Sequence, residues 1–368
     1  MSIKKIMVIL FLIVLAGCTL EQTNRIEQTD EVSREHNIDD TEKEITPENN
    51  TTINTTIITE PKQVLRCNDG TIYSECSVQK PYYCSDGNII KKATECGCTE
   101  HYIAENENCI NALEITPEQR TYTYILRGKQ DSISTTVYKE LDLYLSEIPR
   151  VYYCTPECPS SLEKELKYID NPEQKRHLLE IVRQIKEKTT DKADQARIAI
   201  SLVQSMPYAD GERRRDDLTG RYPYEVLYDQ KGVCGEKSGL LAFLLREIGY
   251  ETALFHYIPE RHMTAAIKCP LEYSYKQTGY CFIETTEPIM ATYVPKEYVE
   301  IGPLKSEPEI IKINDGNSFD SVKEEYDDAR ELERINKLGS VLEPIDYASW
   351  RDLMKKYGIH VSGSMFYK

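Results

Sequence analysis

Residues 222–249 read YPYEVLYDQKGVCGEKSGLLAFLLREIG, and the second half of this segment predicts a buried helix. Apolar side chains between Leu240 and Ile248 occur on all sides of such a helix rather than along one stripe. A helix of this kind lies in the centre of a domain. Gly249 follows it directly and is a suitable residue to end a helix. The segment therefore predicts a central helix with Cys234 at its start.

Cys234 has the surroundings that a nucleophilic thiol needs. Unpaired N–H groups and the positive end of the helix dipole favour a negative charge at the start of a helix. Gly232 and Gly235 leave space for a substrate carbonyl and for backbone donors to its oxygen. The alternative is a buried structural thiol. The flanking glycines and the polar residues 236–238 argue against that alternative.

A thiol nucleophile needs a base that takes its proton, and two histidines follow Cys234 within 30 residues. His256 lies inside an apolar run and is interpreted as a packing residue. His262 begins the strand-like residues 263–267, and Glu284 lies on a second strand-like segment. Side chains of a strand alternate between the two faces of a sheet, and in a simple hairpin His262 and Glu284 fall on the same face. Glu284 would then orient the imidazole, as the third member of a triad.

Other side chains remain open as members of the site. Tyr222, Tyr224 and Tyr228 are either core residues or donors to the substrate oxygen. Further carboxylates are available, but nothing in their spacing places them near His262; they are Asp191, Asp194, Asp216 and Asp217.

Residues from about 175 to 290 resemble the transglutaminase-like domain. The resemblance rests on Gly232-Val233-Cys234 at the head of a Leu-rich helix and on a histidine 28 residues later that opens a strand. An acidic residue before Thr285-Thr286 on the next strand completes the pattern. The resemblance implies an α+β fold similar to the papain-like architecture, in which the nucleophile helix packs on an antiparallel sheet.

The resemblance also assigns roles to three side chains. It implies that Cys234 is the nucleophile, His262 the general base and acid, and Glu284 the orienting carboxylate. The family's third residue is most often Asp, so Glu284 is a departure whose extra methylene must be accommodated. A second departure is Met263-Thr264, where an aromatic residue commonly follows the histidine. Both departures leave the chemistry intact and the substrate preference open.

The implied chemistry is acyl transfer from an amide through a thioester at Cys234. An amine acceptor would give a cross-link and water would give hydrolysis, and the sequence does not choose between them. The expected substrate is a protein or peptide amide at the cell surface. No cofactor is expected, and the sequence contains no Asp-rich calcium loop of the EF-hand type. The alternative is a non-catalytic surface-binding module built on the same fold.

The first 64 residues predict export and a tether. Lys4 and Lys5 precede an apolar run that ends in Leu15-Ala16-Gly17-Cys18, which has the length and flanks of a secretory signal peptide. A cysteine directly after small residues predicts that Cys18 is lipidated and anchors the protein to the outer face of the cell membrane. Residues 19–64 are polar, lack an aromatic residue and predict a disordered tether.

The other cysteines divide into groups that predict disulfides. Six of them lie in a module at residues 65–112, which the turns Asn68-Asp69-Gly70 and Ser85-Asp86-Gly87 divide into two small hairpins. A zinc site is the alternative, although the module has only one closely spaced pair, Cys96-Gly97-Cys98. Cys154 and Cys158 form another possible pair.

The pairing of Cys269 with Cys281 is an open question. If these thiols faced each other directly across the hairpin, Glu284 would lie opposite Ala266, which is about 13 Å along the strand from His262. Either the loop bulges or the two cysteines have other partners.

The remaining predictions concern the extent of the main domain and the net charge of the chain. The transglutaminase-like domain is expected at residues 115–302 and a helical extension at residues 303–368. The formal net charge of −16 argues against nucleic acid as a partner.

Overall fold

The secondary structure of the chain, described here from a computed structural model, runs from small disulfide-bonded hairpins through a helical block to an antiparallel sheet. The structure describes residues 64–150, 154, 157–209, 220–298 and 301–359, and the backbone of 366–367. The predicted signal peptide with Cys18 and almost all of the predicted tether lie outside the described residues. The described residues belong to one compact unit.

The elements of the described residues are numbered along the chain. The strands are β1 (Tyr82–Ser85), β2 (Asn88–Lys91), β3 (Tyr102–Glu105), β4 (Asn108–Asn111), β5 (Pro117–Leu126), β6 (Lys129–Tyr138), β7 (Thr252–Tyr257), β8 (His262–Lys268), β9 (Tyr280–Ile283), β10 (Glu309–Lys312), β11 (Val341–Leu342) and β12 (Phe366–Tyr367). The α-helices are α1 (Ala93–Cys96), α2 (Lys139–Glu147), α3 (Ser161–Ile169), α4 (Pro172–Lys188), α5 (Lys192–Gln204), α6 (Pro223–Asp229), α7 (Cys234–Ile248), α8 (Lys323–Asn336) and α9 (Pro344–Tyr357).

The helix α7 is the centre of the domain, as its sequence predicts. Its residues from Leu240 to Leu245 are fully buried. The helices α4, α5 and α6 and the strands β7 and β8 all pack against it. Each fully buried leucine contributes about 2 kcal/mol to the stability of this core. Gly249 ends the helix with a φ of +117° and donates its N–H to the carbonyls of Leu245 and Arg246.

The helices α4 and α5 start at side chains that accept hydrogen bonds from the helix N terminus. Asn171 caps α4, which has Pro172 in its first turn. Asp191 caps α5 by accepting from the N–H groups of Ala193 and Asp194.

The amphipathic residues 132–145 form the end of a strand and then a helix, because β6 continues to Tyr138 before α2 begins.

The central sheet is antiparallel and has the strand order β10-β7-β8-β9. Together with the helices that pack on it, this antiparallel sheet gives the domain the predicted α+β fold. The strand β10 lies in the segment 303–368, for which the sequence predicts a helical extension. That segment therefore adds an edge strand to the central sheet as well as supplying α8 and α9, which pack together.

The N-terminal module is held by the predicted kind of cross-link. Its disulfides are Cys67–Cys84, Cys76–Cys96 and Cys98–Cys109. The predicted turn at Asp86-Gly87 joins β1 and β2. The second hairpin is not at Asp69-Gly70, where only an isolated bridge between Arg66 and Ile72 forms. It joins β3 and β4 instead, where Asn106 supplies the left-handed turn conformation with a φ of 55°.

The disulfides also indicate where the protein is found. Cys154–Cys158 and Cys269–Cys281 bring the number among the described residues to five. Disulfides form and persist in oxidising compartments, so this pattern indicates an exported protein. Within the described part of the chain, the helices are too short or too polar to span a membrane.

Candidate active site

The thiol of Cys234 lies at the first residue of α7 and is the free cysteine of the described residues. Val233 precedes it in an extended conformation, with φ −87° and ψ 173°. The side chain of Glu236 accepts the N–H of Val233 at 2.9 Å. The first N–H groups of a helix have no acceptor within it, so those of Cys234 and Gly235 point out of the helix end. This end of α7 can therefore stabilise a negative charge.

The segment before α7 is fixed by charged and backbone contacts. Arg221 donates to Asp229 at 2.7 Å and to the carboxylate of Glu236 at 3.0 and 3.1 Å. The N–H of Gly232 donates to the carbonyl of Pro207 at 3.3 Å. A Cβ atom at Gly232 would lie 3.1 Å from side-chain atoms of neighbouring residues, so this glycine serves close packing of the segment.

His262 begins β8 on the face that meets the start of α7. Its side chain is only 4% exposed, and its Nε2 lies 3.2 Å from Oε2 of Glu284. Cys234 is close enough to the imidazole to influence its pKa. Glu284 lies at Nε2, which leaves Nδ1 as the ring nitrogen available to the thiol. Burial by itself lowers the pKa of His262, but the hydrogen bonds with Cys234 and Glu284 raise it to about 9.

Glu284 directly follows β9 and is fully buried. Its Oε1 accepts the N–H groups of Thr285 and Thr286, both at 2.9 Å, and the hydroxyl of Thr286 at 2.7 Å. Burial alone would raise the pKa of this carboxyl. The hydrogen bonds from His262 and Thr286 outweigh burial and lower the pKa below its usual value. The carboxylate is thus held as an anion with one oxygen fixed by the chain and the other facing His262.

The strand register explains how Glu284 reaches His262. Cys281 lies opposite Ile267 and not opposite Cys269, so the register differs by two residues from that of directly facing thiols. The disulfide Cys269–Cys281 nevertheless forms, because Cys269 lies beyond the end of β8, where the chain turns into the loop. Continued by one residue beyond β9, the observed register places Glu284 opposite Thr264. It is therefore two residues closer to His262 than direct pairing of the cysteines would place it.

Hydroxyl and amide side chains of α7 and α5 contact the chain around His262 and Glu284. Ser238 lies within 3.0 Å of the Thr285 hydroxyl and donates to the carbonyl of Met263 at 3.2 Å. The buried amide of Gln204, at the end of α5, donates to the carbonyls of Glu284 at 2.8 Å and Ile289 at 2.9 Å. These contacts fix the positions of the two helices relative to His262 and Glu284.

Residues 179–284 match the family model of the transglutaminase-like superfamily. The matched range contains Cys234 and His262 and ends at Glu284. The chain contains a transglutaminase-like domain. No curated protein and no solved structure gives a significant match to the chain.

Other charged residues of the transglutaminase-like domain have structural roles apart from this site. His256 is half-buried on the opposite face of the sheet from His262, with Nδ1 3.7 Å from Glu309. Asp191 caps α5, and Asp194 pairs with Arg127 and Arg197. Asp216 and Asp217 lie outside the described residues.

The three tyrosines before Cys234 belong to the core of the transglutaminase-like domain. Tyr222 and Tyr224 are buried, and the hydroxyl of Tyr224 accepts the N–H of Tyr138 at 2.6 Å. The hydroxyl of Tyr228 donates to Glu118 at 2.6 Å. The hydroxyls of Tyr224 and Tyr228 are therefore used for packing the domain.

Lys237 is a residue of this region that the sequence analysis does not single out. Its Nζ is buried one turn after Cys234 and donates to the carbonyl of Met206 at 2.6 Å and to those of Gln204 and Thr286 at 3.4 Å. Burial lowers the pKa of Lys237 to about 8. The sequence could have indicated this residue, because Lys237 lies inside an otherwise buried helix and a buried ammonium group requires hydrogen-bond partners.

The arrangement in the transglutaminase-like domain is a row of thiol, imidazole and carboxylate. An imidazole held between a thiol and a carboxylate can take the proton of the thiol and later return it. Among the described residues, no cluster of His, Cys, Asp and Glu side chains is arranged to hold a metal ion.

Proposed function

We propose that the chain is a cell-surface cysteine enzyme of the transglutaminase-like type, an acyltransferase or amide hydrolase acting through a thioester at Cys234. The observation that carries the proposal is the buried hydrogen bond between His262 and Glu284 beside the free thiol. Burying ionisable groups costs free energy. A binding surface gains nothing from holding these three groups in a row, whereas nucleophilic catalysis requires it.

The first half of the reaction forms the thioester. His262 holds the proton of Cys234, and the thiolate attacks the carbonyl carbon of the amide. The N–H groups at the start of α7 donate to the oxygen that becomes negative in this step. His262 then donates the proton to the amide nitrogen, the C–N bond breaks, and the amine leaves. Glu284 keeps the imidazole in place and stabilises its positive charge.

The second half releases the acyl group. His262 removes a proton from an amine or from water, which attacks the thioester carbon. The C–S bond then breaks and the sulfur recovers the electron pair. An amine acceptor yields a new amide and therefore a cross-link, while water yields a carboxylic acid. Both acceptors are kept in the proposal because the same three side chains serve either.

The location of the substrate follows from export. Lipidation at Cys18 would hold the protein at the outer face of the membrane, with residues 19–64 as a tether. We therefore propose a protein or peptide amide of the cell envelope as the substrate.

The proposal can be tested without knowing the natural substrate. The full-length protein is mixed with an activated ester such as p-nitrophenyl acetate, and peptides containing Cys234 are analysed by mass spectrometry. We expect an acetyl thioester on Cys234 that forms much more slowly in His262→Ala. His256→Ala is the matched control, since His256 lies on the other face of the sheet, and it should acylate normally.

The fate of the thioester distinguishes the two reactions. Faster loss when a primary amine is added, with the acetyl group found on that amine, indicates a transferase. Loss to water that amines do not change indicates a hydrolase. Absence of a thioester on Cys234 at neutral pH would instead favour the non-catalytic surface-binding module.

A further inference from the structure

The ring of Tyr298 packs against the imidazole of His262. The centroids of the two rings are 4.7 Å apart, and their planes meet at 55°. Tyr298 comes from the chain after β9, in a short turn closed by reciprocal backbone hydrogen bonds of 3.1 Å with Gly302. It lies outside the range that matches the family model. The contact is therefore supplied by a part of the chain that follows the three residues of the candidate site.

The phenol hydroxyl does not account for this position. It is buried and lies near the carboxylate of Glu284, but it has no partner with good hydrogen-bond geometry among the residues that the structure describes. Burial, the charge of Glu284 and the approach of its carboxylate raise the pKa of Tyr298 well above its usual range, so the hydroxyl stays neutral. Removing a hydroxyl that makes no well-formed hydrogen bond costs little. The aromatic ring, rather than the hydroxyl, is then the part of Tyr298 that matters.

The imidazole has few other contacts that restrict its movement. Glu284 lies at Nε2, Cys234 interacts with the ring, and the ring of Tyr257 on β7 is farther away, at 6.5 Å between centroids. An aromatic ring packed against the imidazole limits its tilt. It also excludes water, which would otherwise compete for the Nε2 proton and weaken the pairing with Glu284.

We propose that Tyr298 is a positioning residue that holds the plane of His262 and shields its hydrogen bond to Glu284 from water. The proposal rests on the function proposed above. It makes the aromatic ring of residue 298 a requirement for full reactivity of Cys234 and leaves the hydroxyl dispensable.

The test compares three variants of the full-length protein. Tyr298→Phe keeps the ring, and Tyr298→Leu removes it. Tyr293→Leu is the control, since Tyr293 is also buried, lies in the same segment and accepts a hydrogen bond from Asn336, away from His262. The first readout is the rate of alkylation of Cys234 by iodoacetamide across pH. The second is the exchange of the His262 Nε2 proton with water, measured by NMR on protein labelled with ¹⁵N-histidine.

We expect Tyr298→Phe to alkylate within about 3-fold of the unmodified protein and to keep a slowly exchanging Nε2 proton. Tyr298→Leu should slow alkylation by about 10- to 100-fold, because small displacements of a reacting group are costly. Its Nε2 proton should exchange rapidly. Tyr293→Leu should lower stability without changing either readout.

Each outcome separates this proposal from the proposed function. If Cys234 of the unmodified protein does not depend on His262, the proposed function is wrong. If that dependence holds and Tyr298→Leu matches the unmodified protein, only the role of Tyr298 is wrong. Should Tyr298→Leu fail to fold, rapid exchange of the Nε2 proton in the unmodified protein or in Tyr298→Phe would still contradict the shielding.

Discussion

The Nε2 atom of His262 lies 3.2 Å from Oε2 of Glu284, although the two residues are not directly opposite each other in the sheet. His262 is at the start of β8, and Glu284 is the residue after β9, at the position opposite Thr264 in the continued register. A diagonal contact across neighbouring strands suits a long side chain. The extra methylene of glutamate, compared with the aspartate common in the family, is accommodated by this offset.

Glu284→Gln should slow the alkylation of Cys234 at neutral pH by about 10-fold or more. Glutamine keeps the shape of the side chain but removes the charge that balances the imidazolium, so the pKa of His262 should fall from about 9. The rate of iodoacetamide labelling as a function of pH measures both effects.

Glu251→Gln is the matched control for this change. Glu251 is also buried in the central domain, but it pairs with Lys268 at 2.9 Å and accepts from Tyr280 at 2.7 Å. This variant should lose stability and keep the labelling rate. Equal labelling rates in the two variants would show that Glu284 has no special role.

The protonation of His262 should make stability depend on pH. The pKa of His262 is about 9 in the folded chain and 6.5 ordinarily, so the folded state binds the proton more tightly. The resulting stability is fully present below about pH 6.5 and is lost as the pH rises through about 9.

Urea unfolding of the unmodified protein and of His262→Asn at about pH 6 and about pH 10 measures this dependence. When the free energies of unfolding of the two proteins are subtracted, most of the pH dependence that comes from other groups, such as Lys237, cancels. A difference that stays constant or grows with pH would contradict the raised pKa.

Lys237→Met should lower the free energy of unfolding by about 3 kcal/mol, because buried carbonyls lose their donor. The carbonyl of Met206 accepts at 2.6 Å and is the main partner. Lys175→Met, on the exposed side of α4, is the control and should change stability by less than about 0.5 kcal/mol. Chemical denaturation checks both variants. A loss below about 1 kcal/mol in Lys237→Met would mean that these hydrogen bonds contribute little.

Replacing Cys269 and Cys281 together by Ser should destabilise the domain by about 3 kcal/mol, since their disulfide closes a loop with a sequence separation of 12. The Cys154–Cys158 disulfide has a separation of 4, so the same replacement there should cost less. Urea midpoints of the two double variants compare the effects. The reverse order would contradict the loop-closure argument.

The sequence predicted the parts of the site that depend on local patterns. A helix buried on all sides and a glycine that ends it placed Cys234 at a helix start, and residue parity placed His262 and Glu284 on one face. These features follow from side-chain periodicity, which can be read directly from the chain.

The sequence did not predict contacts that depend on distant segments. The offset of β9 against β8 depends on how the loop between Cys269 and Cys281 folds. Tyr298 and Gln204 reach the site from outside the hairpin, and β10 joins the sheet through backbone hydrogen bonds that leave little trace in side-chain pattern. In the N-terminal module, the sequence predicted the turn of the second hairpin at Gly70. The observed turn is at Asn106, which adopts the left-handed conformation.

The most direct test of a nucleophilic thiol at Cys234 is its labelling by mild iodoacetamide without reductant, followed by mass spectrometry, in the unmodified protein and in His262→Ala. We expect rapid, selective labelling of Cys234 that slows by at least about 10-fold in His262→Ala. Unreactive Cys234, or a rate that is the same in both proteins, would contradict a thiol activated by His262.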